Sequence, residues 1–272
     1  MGQQLLDKLI PALDRINWPE NPLAHEVGRI TYEEGIEQVD EWRGNPSKLA
    51  AALRVFATAD SRPYAFAGVA YALVAGAREA DGSHAPAGLD AAMQWLEAAQ
   101  ELEPDLVEIN FIEGLVYIHG GRLEHARIVL DYLQQQNPDN YYLAAAEVEF
   151  AEAAGDEAQI LQWIDRAIGA ARTIPQRLRL HSRLASFLRQ FGRYEEAKEA
   201  YRRARHFDAE NVDLLHEMSM LAWEMGDIDE AERLNKQVLG RKPDMAAAVR
   251  LEEAIKLKRK DEGGVLGRLF GR

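Results

Sequence analysis

No cysteine occurs in this 272-residue chain, which excludes a disulfide framework and any thiolate site. No apolar run reaches the ~18 residues that a membrane-spanning helix requires. The opening Met1-Gly2-Gln3-Gln4-Leu5-Leu6-Asp7 has neither a basic start nor a long apolar stretch, unlike a secretory leader. Leu6 stands where a myristoylation signal has serine or threonine. These absences make the cytoplasm the expected compartment. The phosphate loop ending in Gly-Lys-Ser/Thr, the Gly-x-Gly-x-x-Gly fingerprint and the Gly-x-Ser-x-Gly elbow are all missing. Gly120-Gly121 and Gly263-Gly264 are too short to cradle phosphate. No pair among His25, His84, His119, His125, His181, His206 and His216 has zinc-ligand helix spacing with a catalytic glutamate. A non-catalytic chain without cofactor or metal is therefore expected. A net charge of −13 opposes a polyanion, and no aromatic–basic motif appears, so nucleic acid is not an expected partner.

What the chain does have is a repeat. Glycine recurs at Gly121, Gly155, Gly192 and Gly226, in steps of 34, 37 and 34. Two of these glycines open nearly the same phrase, Gly-Arg-Tyr-Glu-Glu-Ala at 192–197 and Gly-Asp-Ile-Asp-Glu-Ala at 226–231. Ala126, Ala197 and Ala231 follow five places after their glycines. Pro104, Pro138 and Pro243 close units, with Ala209 in register before the last. Three extra residues around Thr173-Ile174-Pro175 explain the longer step. Between these marks, apolar residues recur at helical spacing, as in Leu184, Phe187, Leu188 and Phe191, then Met218, Leu221, Ala222 and Met225.

This pattern resembles the tetratricopeptide repeat, a helix–turn–helix unit of ~34 residues. The resemblance covers residues 61–245 and departs from the family at Asn110, His181 and Leu215, where an aromatic is usual, and at Ile160, where a small residue is usual. It implies an all-α fold, a right-handed solenoid of antiparallel helix pairs with N-terminal helices and a C-terminal capping helix. The units run 61–106, 107–140, 141–177, 178–211 and 212–245. Small residues are expected where paired helices cross: Gly68, Gly114 and Ala185 on first helices, facing Ala92, Ala126, Ala197 and Ala231 on second ones. Each glycine after a first helix supplies a left-handed turn at little steric cost. One unit cannot bury its apolar face alone, whereas a stack makes a continuous core.

Gly68 to Ala92 spans 24 residues where Gly114 to Ala126 spans 12. The surplus falls at 78–88, between helices expected at about 61–78 and 89–102, and reads as a surface loop, a tolerated insertion rather than a binding loop. Residues 1–60 read as helical but off pattern, a degenerate repeat or a cap. Leu5, Leu6, Leu9 and Ile10 mark a short amphipathic helix, Pro19 and Pro22 break the chain, and Thr31 with Glu34 is a capping-box signal. Asn45-Pro46 starts another helix. A capping helix is expected at 246–260, followed by a flexible basic and apolar tail at 261–272.

Charge is unevenly spread. Residues 1–160 hold 10 Lys and Arg against 27 Asp and Glu, a balance of −17, whereas residues 161–272 hold 22 against 18, a balance of +4. The basic excess lies at 172–205, where ten cations from Arg172 to Arg205 face only Glu195, Glu196 and Glu199. Such asymmetry points to an anionic partner, or else to a solvated face with local ion pairs. The resemblance implies that six positions of each first helix line a concave groove. The peptide-binding residues would then be Phe111, Ile112, Leu115 and Tyr142 at an apolar end, Arg179, Arg183 and Arg189 at a cationic one, and an exposed Trp223 beyond. The expected function is an adaptor whose groove holds a protein segment or helix, apolar then acidic. The carboxylate clamp of chaperone-binding relatives is incomplete: Arg179 and Arg183 match it, but Phe111, Leu115 and Ala146 stand at its other positions.

The tail carries the alternative. Lys256, Lys258, Arg259 and Lys260 precede a double glycine read as a hinge. Beyond it, Val265, Leu266, Leu269 and Phe270 would share one side of a short helix. Leu266, Leu269 and Phe270 are the expected tail contacts. The occupant could be an anionic membrane surface, a partner protein or a second copy in a homo-oligomer, against the plain alternative of a frayed end. With a membrane occupant the chain becomes a peripheral assembly factor anchored by its tail.

Overall fold

A computed structural model of the chain describes residues 2–42 and 45–269, with side chains through Lys260. Among the described residues there are fourteen helices and no strand; the sole sheet-like feature is an isolated bridge between Arg78 and His84. The chain divides into two compact units, 1–170 and 171–272. The break in sequence falls where the repeat carries its three extra residues. There Thr173 caps the next helix: its hydroxyl accepts from the Gln176 backbone N–H, while the Gln176 side chain accepts from the Thr173 backbone N–H.

Unit 1 contains α1 (Gly2–Leu13), α2 (Glu26–Asp40), α3 (Pro46–Phe56), α4 (Arg62–Gly76), α5 (Pro86–Gln100), α6 (Val107–His119), α7 (Leu123–Gln136), α8 (Tyr141–Ala154) and α9 (Glu157–Ala170). Each even-numbered helix from α2 packs most heavily on its successor, and α2, α4, α6 and α8 also touch in sequence. The 1–60 stretch therefore contributes one helix pair, α2 with α3, and a separate α1 that packs on α4 and α5. Unit 2 contains α10 (Ile174–Gln190), α11 (Tyr194–Phe207), α12 (Val212–Glu224), α13 (Ile228–Arg241) and α14 (Ala246–Leu269). It is built as α10 with α11, then α12 with α13, with α14 against α13.

The four repeat glycines make the same turn. Gly121, Gly155, Gly192 and Gly226 have φ of 71°, 72°, 72° and 78°. After each one, the next residue's N–H reaches back to the carbonyl five residues earlier: Arg122 to Tyr117, Asp156 to Ala151, Arg193 to Leu188 and Asp227 to Ala222. The glycine N–H bonds to the carbonyl three residues before it in all four cases. These two bonds define a Schellman cap. The closing carbonyls of each first helix are thereby satisfied, and the short turn sends the chain back along its pair.

Several local expectations shift. Thr31 does not start a helix: α2 begins at Glu26, the His25 ring accepts from the Gly28 N–H, and the Thr31 hydroxyl donates to the Val27 carbonyl in mid-helix. Asn45 does cap α3, accepting from Ser47 with Pro46 in the first turn. Gly68 and Gly114 do not look onto alanines. A Cβ at Gly68 would stand 2.4 Å from the Phe56 ring of α3, and one at Gly114 would meet Leu130 and Val129 of α7 at 3.7 and 3.9 Å. The insertion at 78–88 is a surface turn, exposed at residues 80–83, and α5 takes up its end from Pro86. The Glu79 carboxylate accepts from the backbone N–H groups of Gly2 and Gln3 at 3.1 and 2.9 Å, which caps α1 and suits its positive end. α14 is one helix over Ala246–Leu269, so Gly263-Gly264 lies within it.

Candidate functional site

The expected groove residues fall into different environments. In unit 1, Phe111, Ile112 and Leu115 are 7%, 0% and 5% exposed and belong to the core. They are not ligand-facing in this structure, because the face of α6 that carries them is closed by α4 and α8. Phe111 sits between the rings of Tyr71 and Tyr142, at 6.2 and 5.1 Å. Tyr142 is half-buried.

In unit 2, Arg189 is already engaged. Its guanidinium donates to Glu217 at 2.6 Å and lies 3.4 Å from the Glu224 carboxylate, joining α10 to α12. Trp223 is half-buried rather than exposed, packed on the cluster of Ala222, Ala231, Leu251 and Ile255. Arg179 and Arg183 are half-buried on α10 and both interact within the protein; the Arg183 guanidinium lies 5.5 Å from the Phe187 ring centre. For the tail, Leu266 and Leu269 fall in α14 with side chains outside the described ones, and Phe270 lies outside the described residues. Among the described residues no helix is long and apolar enough to cross a membrane.

A groove not expected from the sequence lies in unit 2 between α11, α12 and α13, enclosing about 430 Å³. One wall is a single face of α11, carrying Lys198, Tyr201, Arg202, Arg205 and His206 at helical spacing. The floor comes from Met218, Leu221, Ala222 and Met225 of α12, with Leu234 of α13. Leu221 and Leu234 are buried, whereas Met218 and Met225 are half-buried and offer a soft, adaptable apolar surface. Asp227 and Glu230 stand on the α13 side. Neither is a free anion: Asp227 caps α13 by accepting from the Glu230 N–H, and Glu230 accepts from Arg233. That hydrogen bond lowers the Glu230 pKa first, with Lys198 and Arg205 adding to it across the groove. Lys198 and Arg205 have no ion-pair partner within 4 Å among the described residues, and Arg202 has only a loose one, Glu199 at 3.8 Å. These cations come from the charged belt seen in the sequence. Their presence on one wall of a groove was hidden, because the groove lies on the second-helix side and the expected one on the first-helix side.

Burial lowers the pKa of three histidines. His84, stacked on His119 at 3.9 Å, has its pKa pushed down to about 4, by burial first and then by His119 and Arg78. Burial likewise lowers His181 and His216. Each stacks or packs inside its unit, and none stands at the groove.

Residues 188–255 match the family model described as tetratricopeptide repeat. No protein among the curated ones matches the chain. Among solved structures, one chain of the APC/C hetero-tetramer Cut9–Hcn1 is similar over 93% of this chain and 45% of its own length, with a TM-score of 0.60 and 14% identity. This chain thus spans less than half of that protein. A thermophilic TPR protein of Thermus thermophilus is 20% identical over 62% of this chain and 91% of that one, with a TM-score of 0.48. YrrB, described as a TPR protein with an unusual peptide-binding site, is 14% identical over 68% of this chain and 92% of that one, with a TM-score of 0.47. At such identity, the Cut9–Hcn1 likeness shows the fold alone: an all-α helical solenoid.

Proposed function

We propose that this chain, a helical solenoid whose residues 188–255 match the tetratricopeptide repeat, is a non-catalytic adaptor holding a segment of a partner protein in the groove between α11, α12 and α13. The observation that carries this is an apolar floor beside a cationic wall. A partner helix or extended segment would set apolar side chains on Met218 and Met225 and turn carboxylates to Lys198, Arg202 and Arg205. Asp227 and Glu230 on the facing side disfavour carboxylates there, so the groove prefers one orientation. The partner has the character inferred from the sequence, apolar with acidic residues, but its seat moves from the first-helix face to the second-helix one. Arg179 and Arg183 are a further candidate contact on α10.

The test is affinity capture from native lysate, read by mass spectrometry. It compares the intact chain with Arg202→Glu/Arg205→Glu, Arg179→Glu/Arg183→Glu and a truncation after Glu262. A partner lost with the first variant and kept by the other two is the expected result. Loss only with the second variant moves the site to α10. Loss only with the truncation moves it to the tail, where binding to anionic vesicles would then separate a membrane from a protein occupant. If all three retain the same partners, the groove reading is overturned.

A further inference from the structure

The first helix pair carries an apolar patch on its outer side. α2 packs on α3 and α4, and its buried face is Gly28, Tyr32, Gly35 and Val39. Val27 and Ile30 lie three residues apart on the opposite face and are 62% and 46% exposed. Leu23, just before the helix, is 62% exposed. The Ser61 hydroxyl donates to the Leu23 carbonyl at 2.9 Å, and Ser61 also lies against Gly28, which holds Leu23 beside the first turn of α2. One exposed apolar residue is ordinary. Three large ones grouped on the first helix of an array are not, because a terminal repeat normally turns a polar face to water.

The patch is flanked by charge of one sign. α2 holds Glu26, Glu33, Glu34, Glu37 and Asp40 against Arg29 alone. Arg29 is taken up by Glu26, at 3.0 Å, and by Glu33. Glu34 is exposed and stands four residues beyond Ile30, on the same face. Two copies meeting through this patch would set these carboxylates against one another, and an anionic membrane would repel them. The fitting occupant is apolar and basic. The chain carries such a segment at its other end. From Lys256 to Lys260 every residue of α14 is exposed, Leu257 at 63% among them. Lys256 is paired with Glu252, and Arg259 reaches Asp229 and Glu232 of α13; Lys258 and Lys260 stand exposed beside them. Val265, Leu266, Leu269 and Phe270 follow in sequence, and residues 256–272 hold six basic against two acidic residues. α14 is one helix held on α13. A continuous helix curves only gently and does not double back as a loose segment can, which favours a second copy as its acceptor.

We infer that the patch of Leu23, Val27 and Ile30 receives residues 257–272 of a second copy of this chain, with the apolar side chains of that segment on the patch and Lys258 and Lys260 facing Glu26 and Glu34. The contact joins two different surfaces of one chain. Every copy offers both, so association runs head to tail and passes beyond a dimer unless it closes into a ring. It uses neither the wall nor the floor of the unit 2 groove, so either assignment can fail without the other.

Sedimentation velocity over a concentration series tests this. The intact chain is expected to grow beyond a dimer as its concentration rises, and to do so less at high salt, because part of the attraction is between exposed charges. Val27→Gln/Ile30→Gln removes the apolar patch at exposed positions, and truncation after Glu262 removes the end of the tail. Each is expected to weaken association roughly tenfold or more. Mixed together, the two are expected to form a one-to-one complex and nothing larger, since the first brings an intact tail and the second an intact patch. Lys258→Glu/Lys260→Glu leaves both apolar surfaces whole and should weaken association as well; it carries the test should the double glutamine variant fail to fold. An intact chain that is monomeric at every concentration overturns the inference. So does a dimer that survives the truncation, which would mean a symmetric contact. Failure of the two variants to pair overturns it too, and would place another occupant on the patch.

Discussion

A methyl group added at Gly68 would stand 2.4 Å from the Phe56 ring, and one at Gly35 2.1 Å from it. Phe56 is fully buried and lies between α2 and α4, so two glycines from two helices make room for one ring. Glycine is needed there for close approach rather than for its backbone freedom. Gly68→Ala should destabilise unit 1 by roughly 1–3 kcal/mol, as overpacking of a filled core does. Urea unfolding would show this as a lower midpoint, and Phe56→Leu in the same chain should recover part of the loss. A midpoint unchanged in Gly68→Ala would mean that the ring yields freely. The sequence singled out Gly68 as a contact point, but not its neighbour. Phe56 lies outside the repeat pattern, and only the docking of α3 brings its ring to both glycines.

Among the helical elements, the most legible feature was the turn that closes each first helix. A Schellman cap requires positive φ at one residue, and this local demand leaves a glycine in the sequence whatever packs nearby. At Gly226 nothing lies within 4 Å of an added Cβ. Gly226→Ala should therefore lower the stability of unit 2 by about 1–2 kcal/mol through backbone strain alone, read as a shift in thermal midpoint with no change in the buried core. A loss much above this range would mean that the turn also packs against something. The start of α2 was less legible. Thr31 and Glu34 carry the spacing of a capping box, but the His25 ring makes the cap one turn earlier. A spacing signal states that a cap is available; tertiary contacts before it decide whether it is used.

For the whole molecule, the separate cores carry the consequence. The large core cluster of unit 1 holds residues from Leu6 to Ala146, whereas Leu215, Leu234, Val238 and Ala248 form a core within unit 2. Repeat arrays are stabilised by each unit and its nearest neighbours. Leu215→Ala, at a fully buried position, should cost about 2–5 kcal/mol. Hydrogen exchange should then quicken across α12 and α13 while α4 to α7 keep their protection. An equal rise throughout would show instead that the two units open together. The charge division follows nearly the same partition, with the acidic excess in residues 1–160 and the basic one in residues 161–272.

The sequence by itself determined the repeat, its period, the glycine turns, the helical class and the uneven charge. All of these are set by local geometry or by composition, which need no knowledge of neighbours. Only the tertiary structure decided which faces are closed. Helical spacing places Phe111, Ile112 and Leu115 together, but the packing of α4 and α8 turns that face into core. The resemblance groups Arg189 with Arg179 and Arg183, yet Glu217 and Glu224 reach it from the next helix. Lys198, Arg202 and Arg205 were visible as charges, and became the wall of a groove only when α12 and α13 supplied its floor and far side. The rotation of a helix about its own axis is settled by the sum of its contacts, and no single residue states it.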